Sequence, residues 1–145
     1  MSGYLIHAES ICKTRQKIIV SREQNMEHVA TNAEECTVRH FKIDGGVITG
    51  PKSIRCDYLL LNDDNPAAYF IELKRNGKIS EAIDQIWATI ELVKHELPGY
   101  IYHGRIVCKG VNKVQASQTV HKVREHRKRY KGSIIQGTNK LEENI

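Results

Sequence analysis

Apolar and polar positions change period several times along the chain, and each change marks an element. Residues 1–20 hold the pair Leu5-Ile6 and the β-branched run Ile18-Ile19-Val20 without a clear period, and no element is assigned there. Ser21-Arg22-Glu23-Gln24 has the form of a capping box, with Ser21 as N-cap and Gln24 three residues on. Met26, Val29, Ala30 and Ala33 follow at helical spacing, which predicts a helix over residues 22–34. Residues 37–43 read as a strand with Phe41 and Ile43 on one face. Asp44-Gly45-Gly46 is a tight-turn signal, after which the chain resumes at Val47-Ile48-Thr49 and is interrupted by Gly50-Pro51.

Two strongly apolar strands come next, residues 54–61 and 68–74, joined by the turn formers Asn62-Asp63-Asp64-Asn65-Pro66. Asn76-Gly77 ends the second, and Ser80 is placed to cap a helix. Ile79, Ile83, Ile86, Ile90, Val93 and Leu97 form a long helical stripe, stopped by Pro98-Gly99. A strand is expected over 100–109 and a helix over 117–130, with Val120, Val123 and Tyr130 roughly on one side. The order is helix, three strands, helix, strand, helix. This predicts an α/β domain with a mixed central sheet in three layers.

With 145 residues the chain fits one domain, 1–145. The absence of any apolar run near the ~20 residues of a membrane span argues against a membrane protein. The first residues lack a basic region followed by an apolar stretch, so no secretory signal is expected and a cytoplasmic location is. Cys12, Cys36, Cys56 and Cys108 are far apart and form no C-x-x-C pair. They read as thiols rather than a disulfide framework. The seven histidines show no zinc spacing. Lys and Arg number 22 against 17 Asp and Glu, a net charge of +5. Six of the basic residues fall within His121–Lys131, and a local run of this kind hints at a polyanionic partner.

The two central strands place chemistry on one face. If Leu61 pairs with Ala68, Asp57 faces Glu72, with Cβ atoms about 5 Å apart. Lys74 then shares their face opposite Arg55, while Ile71, Leu73, Cys56, Tyr58 and Leu60 fill the other. Two like charges side by side on an apolar hairpin are costly. A divalent cation between them removes the cost, and paired carboxylates suit magnesium, which also binds substrate phosphate. Such a metal lowers the pKa of bound water and polarises a phosphoryl oxygen. With an adjacent ammonium and a basic surface, this combination points to metal-assisted phosphodiester hydrolysis.

Fourteen residues separate Asp57 from Glu72-Leu73-Lys74, a pattern that resembles the signature of the PD-(D/E)XK nuclease superfamily. The element order resembles it too: an upstream helix, a hairpin, the Asp strand, the Glu-x-Lys strand and a helix carrying Gln85. The resemblance implies a restriction-endonuclease-like three-layer sandwich, a central mixed β-sheet flanked by helices, and a Mg2+- or Mn2+-dependent nuclease. It implies that Asp57 and Glu72 bind the metal with the backbone carbonyl of Leu73, that Lys74 positions or activates the water, and that Gln85 stands beside them. Family members often add an acidic residue from the first helix. Glu27 is the choice here, with Glu23, Glu34 and Glu35 as rivals. Cys56 and Thr89 depart from the family, where a proline and a tyrosine stand.

Each feature also has a plainer reading. Asp57, Glu72 and Lys74 read also as a surface ion-pair cluster, Gln85 as a polar helix flank, and Glu27 as a solvated charge. Residues 121–131 read as a solvated helix face. Beside a phosphodiesterase, Arg55, Lys122, Arg124, Arg127, Lys128 and Arg129 become candidate phosphate contacts. The expected partner is nucleic acid, DNA ahead of RNA, with a homodimer allowed for and no membrane. The alternatives are an RNA-cleaving effector of the same fold and a catalytically silent nucleic-acid-binding module.

Overall fold

The computed structural model describes residues 3–50, 54–75, 78–109 and 117–145. Its elements in chain order begin with strands β1 (Ile18–Glu23), β2 (Met26–Thr31), β3 (Val38–Lys42), β4 (Tyr58–Asn62) and β5 (Ala67–Lys74). Helix α1 (Ile79–Val93) follows, continued by a 3-10 turn (Lys94–Glu96), then strand β6 (Ile101–Cys108) and helix α2 (Ser117–Tyr130). Strands β7 (Lys131–Thr138) and β8 (Lys140–Asn144) close the chain.

The central sheet runs β3-β4-β5-β6-β7. Its first three strands are antiparallel and its last three parallel. Parallel neighbours need a crossover, and α1 and α2 supply the two. The predicted stripe of α1 is buried throughout, from Ile79 to Val93 and on to Leu97, against Leu59, Leu61, Ala68 and Phe70. Each such isoleucine contributes about 1.5–3 kcal/mol of burial. The helix starts at Ile79, so Ser80 lies inside its first turn rather than at the cap. Asp44 to Thr49 folds as a compact turn with Gly45 at φ +82°, not as a returning strand. The expected stops at Gly50-Pro51 and Asn76-Gly77 fall partly or wholly on residues 51–53 and 76–77, outside the described residues.

The helix expected over 22–34 is a β-hairpin. Gln24 and Asn25 both have positive φ, 48° and 67°, as a two-residue turn between twisted strands requires. Glu23 then pairs with Met26 and Ile18 with Thr31. Period two overrides period 3.6 because Met26, His28 and Ala30 turn inward together. β2 is joined by β8 in parallel, and β8 meets β7 only at Thr138 and Lys140. The eight-stranded order therefore works as two mixed sheets. Ile19, Met26 and Ala30 of the small sheet pack on Leu60, Ile71, Leu73 and Val107 of the central one.

The three layers are thus helices, central sheet and small sheet. Among the described residues, helices cover one face of the central sheet and the small sheet covers the other. The sheets do not close into a barrel. No described helix is long and apolar enough to cross a membrane.

Candidate active site

The register of β4 and β5 is the expected one: Leu61 pairs with Ala68 and Tyr58 with Ile71. The ladder stops there, so the strand expected from residue 54 begins at Tyr58 and Asp57 stands just before it. Its backbone is nonetheless pinned on two sides. The Asp57 N–H donates to Ile71 O at 3.0 Å, and Ile43 N–H donates to Asp57 O at 2.8 Å. The Asp57 Oδ2 accepts the Leu73 N–H at 2.8 Å. Cys56, expected on the opposite face, packs instead on the α1 side because it precedes the strand.

Glu72 sits mid-layer on β5, 3% exposed, with Phe70 and Lys74 on its face. The Asp57 and Glu72 carboxyls are close enough to interact directly, and both are pushed above the ordinary carboxylate range. Burial is the main cause for each. For Glu72 the charge of Asp57 adds to it, with Lys74 and Gln85 working the other way. For Asp57 the Leu73 N–H opposes the rise, and the charges of Glu23 and Asp44 reinforce it. Glu72 Oε1 is buried with no hydrogen-bond partner among the described residues.

Lys74 Nζ donates to Gln85 Oε1 at 2.8 Å and lies 3.5 Å from Glu81 Oε2. Gln85 Nε2 in turn donates to Arg55 O at 3.2 Å. Gln85 thereby joins the Glu-x-Lys strand to the segment leading into Asp57. An open cleft of about 470 Å³ meets this group through Lys74 and Gln85, with Asp44, Arg55, Glu81 and Asp84 around it.

Glu27 does not join the group. It faces away on β2, paired with Arg22 at 2.7 Å and with Lys140 at 3.6 Å, and the Arg22 guanidinium lowers its pKa. The acid of this hairpin whose charge reaches Asp57 is Glu23. Helical spacing favours Glu27 over Glu23, and the alternation of a hairpin reverses that preference.

The basic candidates divide. Arg55 is folded inward, its Nε 2.8 Å from Asp44 Oδ1 and its guanidinium also bonded to the Thr49 and Gly50 carbonyls. It shapes the rim of the cleft. Lys122 donates to Ser80 Oγ and Asp84 Oδ1, each at 2.8 Å, and so ties α2 to the first turn of α1. Arg129 stacks its guanidinium 4.7 Å from the centre of the Trp87 ring. Arg124, Arg127 and Lys128 are exposed on the outer side of α2. Val120 is exposed as well, and the helix buries Thr119, His126 and Tyr130, a face rotated from the expected one. His126 is a clamp: its Nδ1 accepts the Trp87 Nε1–H at 3.0 Å and its Nε2–H donates to Tyr102 O at 2.7 Å.

Among the described residues no three His, Cys, Asp or Glu side chains gather as a metal cage. The oxygens that could hold a metal at Asp57 are two carboxyls and one backbone carbonyl. In an extended strand the N–H and C=O of one residue point the same way, so the Leu73 carbonyl faces the Asp57 side with its N–H. Two carboxylates and a carbonyl are hard oxygen donors of the kind magnesium takes. The unpartnered Glu72 oxygen, buried beside the Asp57 carboxyl, fits a divalent cation as the partner of both acids. Compared with protein-family models, curated proteins and solved structures, the chain matches none of them.

Proposed function

We propose that the chain is a metal-dependent nuclease that hydrolyses phosphodiester bonds in DNA, on a restriction-endonuclease-like core. The observation that carries this is the convergence of Asp57, Glu72, Lys74 and Gln85 at one mouth of the central sheet. A solvated ion-pair cluster does not account for a carboxyl that is 3% exposed, beside a like charge, with an unpartnered oxygen. The order of Asp57 at the entry to β4, the Glu-x-Lys strand and the Gln85 helix supports membership of the PD-(D/E)XK nucleases, although a hairpin replaces the upstream helix and Asp57 stands just outside its strand.

Asp57, Glu72 and the Leu73 carbonyl would hold Mg2+ or Mn2+, which when bound polarises the phosphoryl oxygen and acidifies water. The chain's own groups do the rest. The Leu73 N–H keeps one Asp57 oxygen turned toward β5. Gln85 holds the Lys74 ammonium beside the acids, where it orients the attacking water and offsets charge developing on the phosphate. Arg124, Arg127 and Lys128 supply sequence-independent phosphate contacts.

The test is a cleavage panel with magnesium or manganese: linear and circular duplex, single-stranded and branched DNA, and structured RNA, each with and without chelator. Metal-dependent cleavage of a DNA member is expected. Cleavage of RNA alone would move the substrate to RNA, and binding without any cleavage would leave a silent binding module.

A further inference from the structure

We infer that Thr89 is the positioning residue for Asp57, a role whose catalytic consequence rests on the function proposed above. Thr89 lies one turn beyond Gln85 on α1 and is fully buried. Its hydroxyl donates to the Gln85 carbonyl at 2.9 Å, one helical turn back. With its proton committed there, Oγ1 accepts the Cys56 N–H at 2.8 Å. Gln85, four residues earlier, donates its side-chain Nε2–H to the Arg55 carbonyl at 3.2 Å.

The Arg55 carbonyl and the Cys56 N–H belong to the same peptide unit. One turn of α1 therefore grips both polar ends of the peptide that leads into Asp57. That peptide needs such a grip because β4 pairing begins only at Tyr58. The Cys56 N–H has no ladder to join, and a buried N–H without an acceptor is costly. Thr89 supplies the acceptor and so sets where the chain enters Asp57. From there the Asp57 backbone is held by Ile43 and Ile71, and its carboxylate by the Leu73 N–H. The same helical turn holds Lys74 through Gln85, so it sets the acid and the ammonium against each other.

The experiment compares Thr89→Val, which keeps the shape and removes the acceptor, with Thr89→Ser, which keeps the hydroxyl. Thr89→Val is expected to lower kcat by about 10- to 100-fold with KM for nucleic acid little changed, the size of effect a displacement near 1 Å produces. Thr89→Ser is expected to restore most of kcat. Amide exchange supplies a readout independent of cleavage. In Thr89→Val the Cys56 and Leu73 amides should exchange about tenfold faster while Leu59 and Phe70 keep their protection. Unchanged kcat and unchanged Leu73 protection in Thr89→Val would overturn the inference. So would a parallel loss of protection at all four amides that Thr89→Ser does not relieve, because Thr89 would then be an ordinary core residue. If the wild-type chain cleaves no nucleic acid, the nuclease reading fails, and the Cys56 and Leu73 amides still decide whether Thr89 positions Asp57.

Discussion

The residue that follows Glu72 in sequence orients the acid beside Glu72 in space: Asp57 Oδ2 accepts the Leu73 N–H at 2.8 Å. The bond favours the ionised carboxylate, and burial disfavours it more strongly. The pair is therefore held in a geometry suited to two negative charges but in surroundings that resist them.

The pH dependence of stability follows from that conflict. Both folded-state pKa values lie above their ordinary values of 3.8 and 4.5. The folded chain then binds more protons than the unfolded one between those values and the raised ones. Stability from this pair is fully present below the unfolded values and is lost as pH rises through the folded ones. His40 and His103, whose pKa values burial lowers to about 4, work in the opposite direction. The pair is isolated by subtraction: in thermal melts without metal, Glu72→Gln should gain stability relative to wild type as pH rises. A difference that shrinks with rising pH would contradict the raised carboxyls.

Metal should act on the same conflict. A cation held by Asp57 and Glu72 would bind the folded state alone and stabilise it by mass action. At a concentration 100 times its Kd, this is about 2.7 kcal/mol. Magnesium at neutral pH should raise Tm in the wild type and leave Asp57→Asn and Glu72→Gln unmoved. Equal shifts in all three proteins would place the ion elsewhere.

Much of the site was legible in the sequence because a hairpin's register is set by its turn. The short loop between Asn62 and Ala67 fixes Leu61 against Ala68, and the alternation then carries Glu72 and Lys74 onto the α1 face. The stripe from Ile79 to Leu97 was equally plain, because its period runs unbroken for five turns. The first hairpin was not legible. Its turn uses Gln24-Asn25 rather than a glycine, and Met26 and Ala30, four residues apart, satisfy helical spacing as well as strand alternation. β7 and β8 left no expectation at all, since Lys140–Asn144 is mostly polar and is ordered by pairing with β2. The Thr89 contact belongs to neither period: it joins a helix to a segment outside any strand, which only the fold brings together.

The hairpin at Gln24-Asn25 can be tested through its turn. Gln24 occupies the left-handed region at φ 48°, which costs a residue of its kind about 1–2 kcal/mol. Gln24→Asn with Asn25→Gly supplies the residues that such a turn prefers. The double variant should be more stable by about 1 kcal/mol in urea unfolding. A helix over the same residues would respond with the opposite sign, because glycine in a helix interior costs about 1 kcal/mol.

Chemistry and binding should separate when charge is removed at two places. Lys74 is one cation, held by Gln85 and mostly buried. Lys74→Ala should abolish cleavage and leave most of the affinity, since a single ammonium is a small part of the basic footprint. Arg124, Arg127 and Lys128 stand exposed on α2, whereas Arg129 is engaged with Trp87 and Lys122 with Asp84. Neutralising the first three to Gln leaves those packing interactions intact. It should weaken binding to every duplex alike and reduce the slope of log affinity against log salt by about 0.9 for each phosphate no longer neutralised. Residual cleavage at saturating DNA should persist, because the acids and Lys74 are untouched. Affinity and salt slope that stay at wild-type values would make the outer side of α2 a solvated face, and the phosphate-binding surface would then lie around the cleft of Lys74 and Arg55.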